Sequence, residues 1–275
     1  MRASVVGVLL SLVAASVSAG CGGASNTLFV DEFNAAAGSP PDSASWNIHR
    51  EWCDVYHYSC AKPSNVFHDG QGNMVVRTQR EACCYLGGGP YSGGWIDTFG
   101  YGTGWPPSKI KRAWNVPYRI EMRALMPNTP GAWPAAWNMN VDRPTSQNIY
   151  ELDWAEQRMT HATRFECHQH TWLSGKNITT WDCPSDTTVS NMGTNWHVYG
   201  ANVYTDRVEY SIDSRVVSTA YGVSGRHGVI LSSGIGDPNH WSSACHQRKP
   251  CQPDPSDPGP WDMKVDYIRV TGVTG

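Results

Sequence analysis

The sequence predicts an all-β fold, a single sandwich or barrel, and three observations predict it. Short runs of alternating apolar and polar residues recur along the chain. Clusters of Gly, Pro, Asn and Asp separate them. No apolar pattern of helical period is sustained anywhere after the N-terminus. Strands of this kind over roughly 250 residues fit one domain rather than two.

The elements follow in order. Asn73 to Thr78 reads as a strand. Tyr118 to Met126 alternates cleanly: Tyr118, Ile120, Met122, Ala124 and Met126 face one way, and Arg119, Glu121 and Arg123 the other. Asn148 to Asp153, Arg164 to Trp172, His197 to Tyr204, Val208 to Ile212, Val216 to Thr219, Gly228 to Ser232 and Met263 to Thr271 have the same style. Asp213-Ser214-Arg215 reads as a hairpin turn between two of them. The Pro-rich stretch Pro250 to Pro260 reads as a surface loop, because only one strand follows it. There are no internal repeats.

Composition narrows the function. Lys plus Arg is 21 and Asp plus Glu is 24, for a net charge of −3. A nucleic-acid binder would be strongly basic. Trp (13) outnumbers Phe (5), which suggests flat amphipathic platforms beyond what a core needs. After the N-terminus no apolar run is long enough to span a membrane.

Residues 1–20 read as an export signal: basic Arg2, an uncharged apolar run from Val5 to Val17, and small residues at Val17-Ser18-Ala19. Two readings of its end stand. One is a plain signal peptide on a secreted protein. The other is a lipoprotein signal, in which Cys21 becomes a lipidated anchor and Gly22 to Ser25 a tether. The domain is then residues 26–275. Of nine Cys, setting Cys21 aside leaves an even eight. Export favours disulfides, and short loops make Cys53–Cys60, Cys167–Cys183 and Cys245–Cys251 plausible pairs. Eight Cys allow about 105 connectivities, so the map stays open.

The segment with most chemistry is Tyr150 to Gln157, YELDWAEQ. On a helix, Glu151, Asp153 and Glu156 would point in scattered directions. On a strand, Tyr150, Leu152 and Trp154 face the core, while Glu151 and Asp153 share the other face. Glu156 is one residue out of phase, and a bulge near Ala155 returns it to that face. Three carboxyl groups in a row repel, so at least one pKa rises. An exposed strand would tolerate the row. In a cleft it suits glycoside hydrolysis with retention, where two carboxyl groups stand about 5–5.5 Å apart.

E-L-D-W-A-E resembles the E-x-D-x-x-E signature of glycoside hydrolase family 16, in its laminarinase-like branch. Further blocks follow in the family's order. Phe29 to Asn34 resembles its first strand, Asn65 to Val76 its N-x-V…G-x-L segment, and Tyr118 to Pro127 its Y-G-x-x-E-x-R strand. Gly131 to Trp137 resembles G-x-W-P-A-x-W, Trp196 to Tyr199 resembles W-H-x-Y, and Val265 to Val270 the closing V-D-Y-V-R-V. The resemblance implies a jelly-roll β-sandwich with a concave cleft and a retaining endo-β-glucanase acting on β-1,3 or mixed β-1,3/1,4 glucan. Glu151 would be the nucleophile, Asp153 the assisting carboxylate, and Glu156 the general acid/base, protonated while Glu151 is ionised. His170 would lie near the nucleophile, and Trp133 is the best sugar platform. Ala155 stands where laminarinases often carry Met, and Gly87 to Pro107 is longer and more Gly-rich than the family loop. These departures leave the polymer open.

Other residues carry two readings each. Trp137, Trp95, Trp105 and Trp172 are platforms or core, and Trp154 reads as core. Glu121 and Arg123 bind sugar hydroxyls or pair across a sheet. Glu166, His168 and His170 alternate on one face, like a cupin metal site, but no Glu follows at cupin spacing, so lining the cleft is the better reading. Asp266, with backbone oxygens near Glu32 and Gly72, resembles a structural calcium site of some family members; no cofactor is required for the chemistry. Asn177-Ile178-Thr179 is a glycosylation sequon. The expected partner is a polysaccharide and the expected state a monomer. The competing class is a non-catalytic carbohydrate-binding jelly roll, which would have lost one of the three acids.

Overall fold

The computed structural model describes residues 26–50, 57–81, 90–101, 107–142, 148–157, 165–173, 176–183, 189–239 and 251–273. The export signal, Cys21, Cys53, Cys83, Cys84, Cys245 and Trp105 lie outside them. None of the described helices is long and apolar enough to cross a membrane.

Among the described residues seventeen strands follow one another: β1 (Thr27–Asp31), β2 (Asn47–Ile48), β3 (Ser59–Ala61), β4 (Val66–His68), β5 (Met74–Arg80), β6 (Tyr91–Asp97), β7 (Trp114–Asn115), β8 (Tyr118–Leu125), β9 (Ala132–Asn140), β10 (Asn148–Glu156), β11 (Glu166–Leu173), β12 (Lys176–Asp182), β13 (His197–Val203), β14 (Arg207–Ile212), β15 (Arg215–Tyr221), β16 (Arg226–Ile235) and β17 (Trp261–Gly272). They form two layers. In the first, the order is β4-β5-β17-β8-β13-β14-β15, with β1 paired to the far half of β17. In the second, the order is β12-β11-β10-β9-β16-β6-β2, with β7 beside the start of β16. These pairings are all antiparallel; β3 runs parallel to β6. The strand β6 joins the layers, pairing β5 at Tyr91 and Ser92 and β16 from Gly94 onward.

Every strand expected from alternation overlaps one in the structure. The turn after β14 also forms, with Asp213 and Ser214 both at positive φ (48° and 66°). Of the described strands with seven or more residues, three were not expected from alternation. β6 lies in the stretch that reads as a Gly-rich loop, and all seven of its residues are buried. A strand covered on both faces shows no alternation. Its glycines answer to close packing: a Cβ on Gly93 would stand 2.4 Å from the Ser233 carbonyl oxygen, and one on Gly94 2.8 Å from that of Asn65. β9 is covered on both faces too. β12 contains the sequon Asn177.

The main core lies between the layers. Ile120, Met122 and Ala124 from β8 meet Leu152 and Trp154 from β10, Ala136 from β9 and Leu231 from β16. A second cluster lies on the outer face of the second layer. There Trp95, Phe99, Ala135, Trp137, Met139 and Ile230 pack together under Tyr101, Ile110 and Ala113. Segment 97–101 is held down at Asp97, whose carboxylate accepts the N–H groups of Phe99, Gly100 and Tyr101 and pairs with His49. Cys167 and Cys183 form a disulfide closing a 16-residue separation, one of the expected pairs. Cys60 and Cys251 are each half of a disulfide whose other half lies outside the described residues.

Candidate active site

Strand β10 carries the three acids. Leu152 and Trp154 point into the core, so Glu151 and Asp153 point out from the second layer. The register slips by one residue between Asp153 and Ala155 against β9, and between Asp153 and Glu156 against β11. Trp154 and Ala155 together span the bulge, and both side chains are buried in the core. The bulge returns Glu156 to the outer face.

The neighbouring strand supplies the second row. Glu151 stands opposite His170, Asp153 opposite His168, and Glu156 opposite Glu166. On β12, Asp182 stands opposite His168. Each His leans along the face toward the next acid. His168 Nε2 lies 3.0 Å from Glu156 Oε2 and 3.8 Å from Glu166 Oε2. Its Nδ1 lies 2.5 Å from Asp182 Oδ1. His170 Nε2 lies 3.7 Å from Asp153 Oδ2. On the other side of Glu156, the Trp133 indole N–H donates to Oε1 at 2.5 Å. Trp133 stacks on His57 with ring centres 4.4 Å apart. The face is recessed, since Asp153, Glu156, Glu166 and His168 are all buried. Glu151 and His170 are half-buried and form its opening.

The electrostatics follow from this crowding. Glu151 is pushed up from the ordinary 4.5 to about 8, first by burial and then by the charge of Glu156, with His168 pulling the other way. For His168, burial opposes the charged form. The Glu156 charge, the Asp182 contact and the two glutamates outweigh it and push the imidazole up to about 12. The sequence expectation placed the bound proton on Glu156. The same expectation had Glu151 ionised, and in the structure burial and the charge of Glu156 raise it.

Other expected site residues fall elsewhere. Trp137 faces the same side as the acids but is only 7% exposed, packed edge-on against Trp95 and Tyr101. It is part of the second cluster rather than a presented platform. Trp154 is core, as expected. Trp172 packs against His170, at 5.4 Å between ring centres. Glu121 and Arg123 are corrections. They lie on β8 in the first layer, on its outward side, because Ile120, Met122 and Ala124 take the core side. Glu121 pairs with Arg119 at 3.0 Å, while Arg123 pairs with Asp266 at 2.6 Å and covers Trp196. The acidic face is on the other layer, so neither belongs to it.

Asp266 is a correction as well. Its carboxylate is the counter-ion of Arg123, and Glu32 is that of Arg269 at 2.9 Å. Among the described residues, Asp266 joins no cluster of three acid or His donors. Calcium wants six to eight oxygens, and a guanidinium beside the carboxylate disfavours a second cation. The residues present do not fit calcium there. The two acid–His groupings on the outer face, Glu151-Asp153-His170 and Glu156-Glu166-His168, have donor atoms within 4.8 Å of one another. In each the His faces a carboxylate, His168 Nε2 toward Glu156 and His170 Nε2 toward Asp153. Sequence reading placed His170 near Glu151, and His170 stands opposite it on β11; His168 sits against Glu156. Asp182 was missed, because nothing in W-D-C-P marks it until β12 is known to pair with β11.

Scans against family models and curated proteins find no match for this chain. Solved structures match over most of its length. A family-16 non-specific endo-β-1,3(4)-glucanase, SCLam, is 23% identical with a TM-score of 0.68, over 89% of this chain and 90% of that one. The endo-β-1,3-glucanase of Pyrococcus furiosus is 21% identical with a TM-score of 0.65, over 90% and 95%. Rv0315 of Mycobacterium tuberculosis, described as an immunostimulatory antigen and pseudo β-1,3-glucanase, is 21% identical with a TM-score of 0.64, over 90% and 100%. The fold is therefore the jelly roll of the family-16 glycoside hydrolases.

Proposed function

We propose that this chain is a secreted, retaining endo-β-glucanase that cleaves β-1,3 or mixed β-1,3/1,4 glucan. The observation that supports it best is the bulged strand β10, which sets Glu151, Asp153 and Glu156 on one recessed face of a glucanase-type jelly roll. Glu151 attacks the anomeric carbon as its carboxylate. Glu156 gives a proton to the leaving oxygen and later takes one from water. Asp153, next to both and within reach of His170, keeps the nucleophile oriented. Export rests on residues 1–20 and on the disulfide chemistry.

A non-catalytic reading has one specific support: a neighbour of the same fold is described as a pseudo-glucanase. The retention of all three acids favours the enzyme. Residues 26–275 incubated with laminarin, mixed-linkage glucan, agarose and xyloglucan, with Glu151→Gln as blank, should release reducing ends from laminarin or mixed-linkage glucan. Release from neither, with retained binding, would move the assignment to a lectin-like protein.

Trp133 gives a second test. Trp133→Phe keeps a ring against His57 and removes the N–H on Glu156. A hydrogen bond to a charged group contributes about 1.5–3 kcal/mol, so kcat/KM should fall roughly 10- to 100-fold. Unchanged kinetics would mean that the indole N–H has no part in positioning the acid.

A further inference from the structure

We propose that Glu156, Glu166 and His168 form a site for one transition-metal dication, zinc or a close neighbour of it, and that an ion bound there silences the enzyme by occupying Glu156. The metal site stands on its own geometry; the silencing rests on the glycosidase reading.

Strand pairing brings the three donors together. Glu156 stands opposite Glu166 across β10 and β11, and His168 is the next residue on the same face of β11. One oxygen of each glutamate and the imidazole Nε2 lie within 4.8 Å of one another. Nε2 is 3.0 Å from Glu156 Oε2 and 3.8 Å from Glu166 Oε2. Zinc sits about 2.0–2.2 Å from nitrogen and oxygen ligands, which keeps neighbouring donors roughly 3–4 Å apart.

The imidazole separates this cluster from a plain acidic patch. His168 is 4% exposed, and among the described residues no hydrogen bond reaches its Nε2. A buried ring nitrogen that faces two carboxylates and bonds to neither is costly unless an ion lies between them. The other ring nitrogen is committed: Nδ1 lies 2.5 Å from Asp182 Oδ1. A carboxylate behind the far nitrogen is the usual support of a metal-bound His, because it fixes the tautomer that turns Nε2 to the ion. One imidazole with two carboxylates suits zinc, whereas calcium and magnesium take oxygen ligands. The acids that hold a proton on this ring attract a dication for the same reason. The ion takes the proton's place, so one proton leaves His168 for each ion bound. The consequence for catalysis follows from Glu156. Its Oε1 accepts the Trp133 N–H, and its Oε2 would lie on the ion, so the carboxyl group has no oxygen free to protonate a leaving sugar.

Calorimetry with zinc chloride tests the site. The chelator-treated chain, residues 26–275, is titrated in two buffers of different ionisation enthalpy, and glucan hydrolysis is followed over the same zinc concentrations. One ion should bind with release of a proton. Reducing-end release should fall with the same midpoint and return on adding EDTA. Asp182→Asn, at a side chain 62% exposed and therefore safe for folding, should weaken binding about 10- to 100-fold. His168→Gln and Glu166→Gln, which remove a ligand outright, should weaken it by more. Glu151→Gln, in the half-exposed grouping at the opening, should keep the wild-type affinity. No binding overturns the site. So does binding of equal strength in His168→Gln, which would put the ion elsewhere, and so does loss of binding in Glu151→Gln alone. Binding as expected with hydrolysis unaffected overturns the silencing and leaves the site. If the zinc-free chain cleaves none of the glucans, the glycosidase reading fails, and the calorimetry still decides the site.

Discussion

Glu151→Gln should abolish hydrolysis while leaving the protein more stable at neutral pH. The loss follows from chemistry: an amide cannot attack the anomeric carbon, and removal of a nucleophile costs on the order of 10⁴-fold or more in kcat. The gain follows from linkage. Glu151 has its pKa pushed up to about 8 in the folded chain against an ordinary 4.5, by burial and then by the charge of Glu156. Between those values the native state holds a proton that the unfolded chain has released. Stability therefore falls as pH rises through that window. Gln does not titrate and removes the fall. Thermal unfolding of the two proteins from pH 4 to pH 9 should give curves that separate as pH rises, with the variant higher by about 2–4 °C for each kcal/mol relieved. Parallel curves would show that Glu151 is not held under strain. Residual hydrolysis above roughly a thousandth of wild type would remove Glu151 from the nucleophile's role.

The acidic strand was legible because its signal is local. Strand alternation puts Glu151 and Asp153 together, and the odd spacing of Glu156 can be mended only by a bulge. Alternation also placed β8, β10, β13, β14, β15 and β17, each of which has one face in the core. It failed at β6 and β9, whose two faces are both covered, so YSGGWID and AWPAAWNMN show no period. The residues around the acids were legible only in part. His168 and His170 were visible as an alternating pair. Which acid each would face depends on the register between β10 and β11, and that register is fixed by strands distant in sequence. Glu121 and Arg123 show the same limit. Alternation gives their face correctly as outward, but not the layer to which that face belongs.

Trp154→Ala should be the most destabilising single change next to the site. The side chain is fully buried beneath the bulge, between the outward carboxyls of Asp153 and Glu156. Loss of a buried Trp costs about 3–5 kcal/mol from lost burial and the cavity left behind. A polar chain fails with it. Trp154 Nε1 donates to Asn138 Oδ1 at 2.7 Å, and Asn138 Nδ2 donates to the Tyr118 hydroxyl at 2.8 Å. That hydroxyl is 3.0 Å from His227 Nδ1, and His227 Nε2 is 3.0 Å from the Ser224 carbonyl. Each link fixes the next. The carbonyl needs a proton on Nε2, so Nδ1 accepts from Tyr118, whose oxygen then accepts from Asn138. The chain crosses from the second layer to the first and back, which no apolar contact does with the same direction. It also requires neutral His227, whose pKa burial pushes down to about 4. The unfolded chain binds that proton near 6.5, so stability should fall as pH drops from there toward 4. Trp154→Phe separates the two contributions. It keeps most of the volume and leaves the Asn138 oxygen without its donor, at about 1–3 kcal/mol. Urea unfolding should rank wild type above Trp154→Phe above Trp154→Ala. Both variants should also lose activity, because the strand that carries Asp153 and Glu156 is seated by this indole. A Trp154→Phe variant as stable as wild type would show that the hydrogen-bond chain carries no net stability and that packing alone seats the strand.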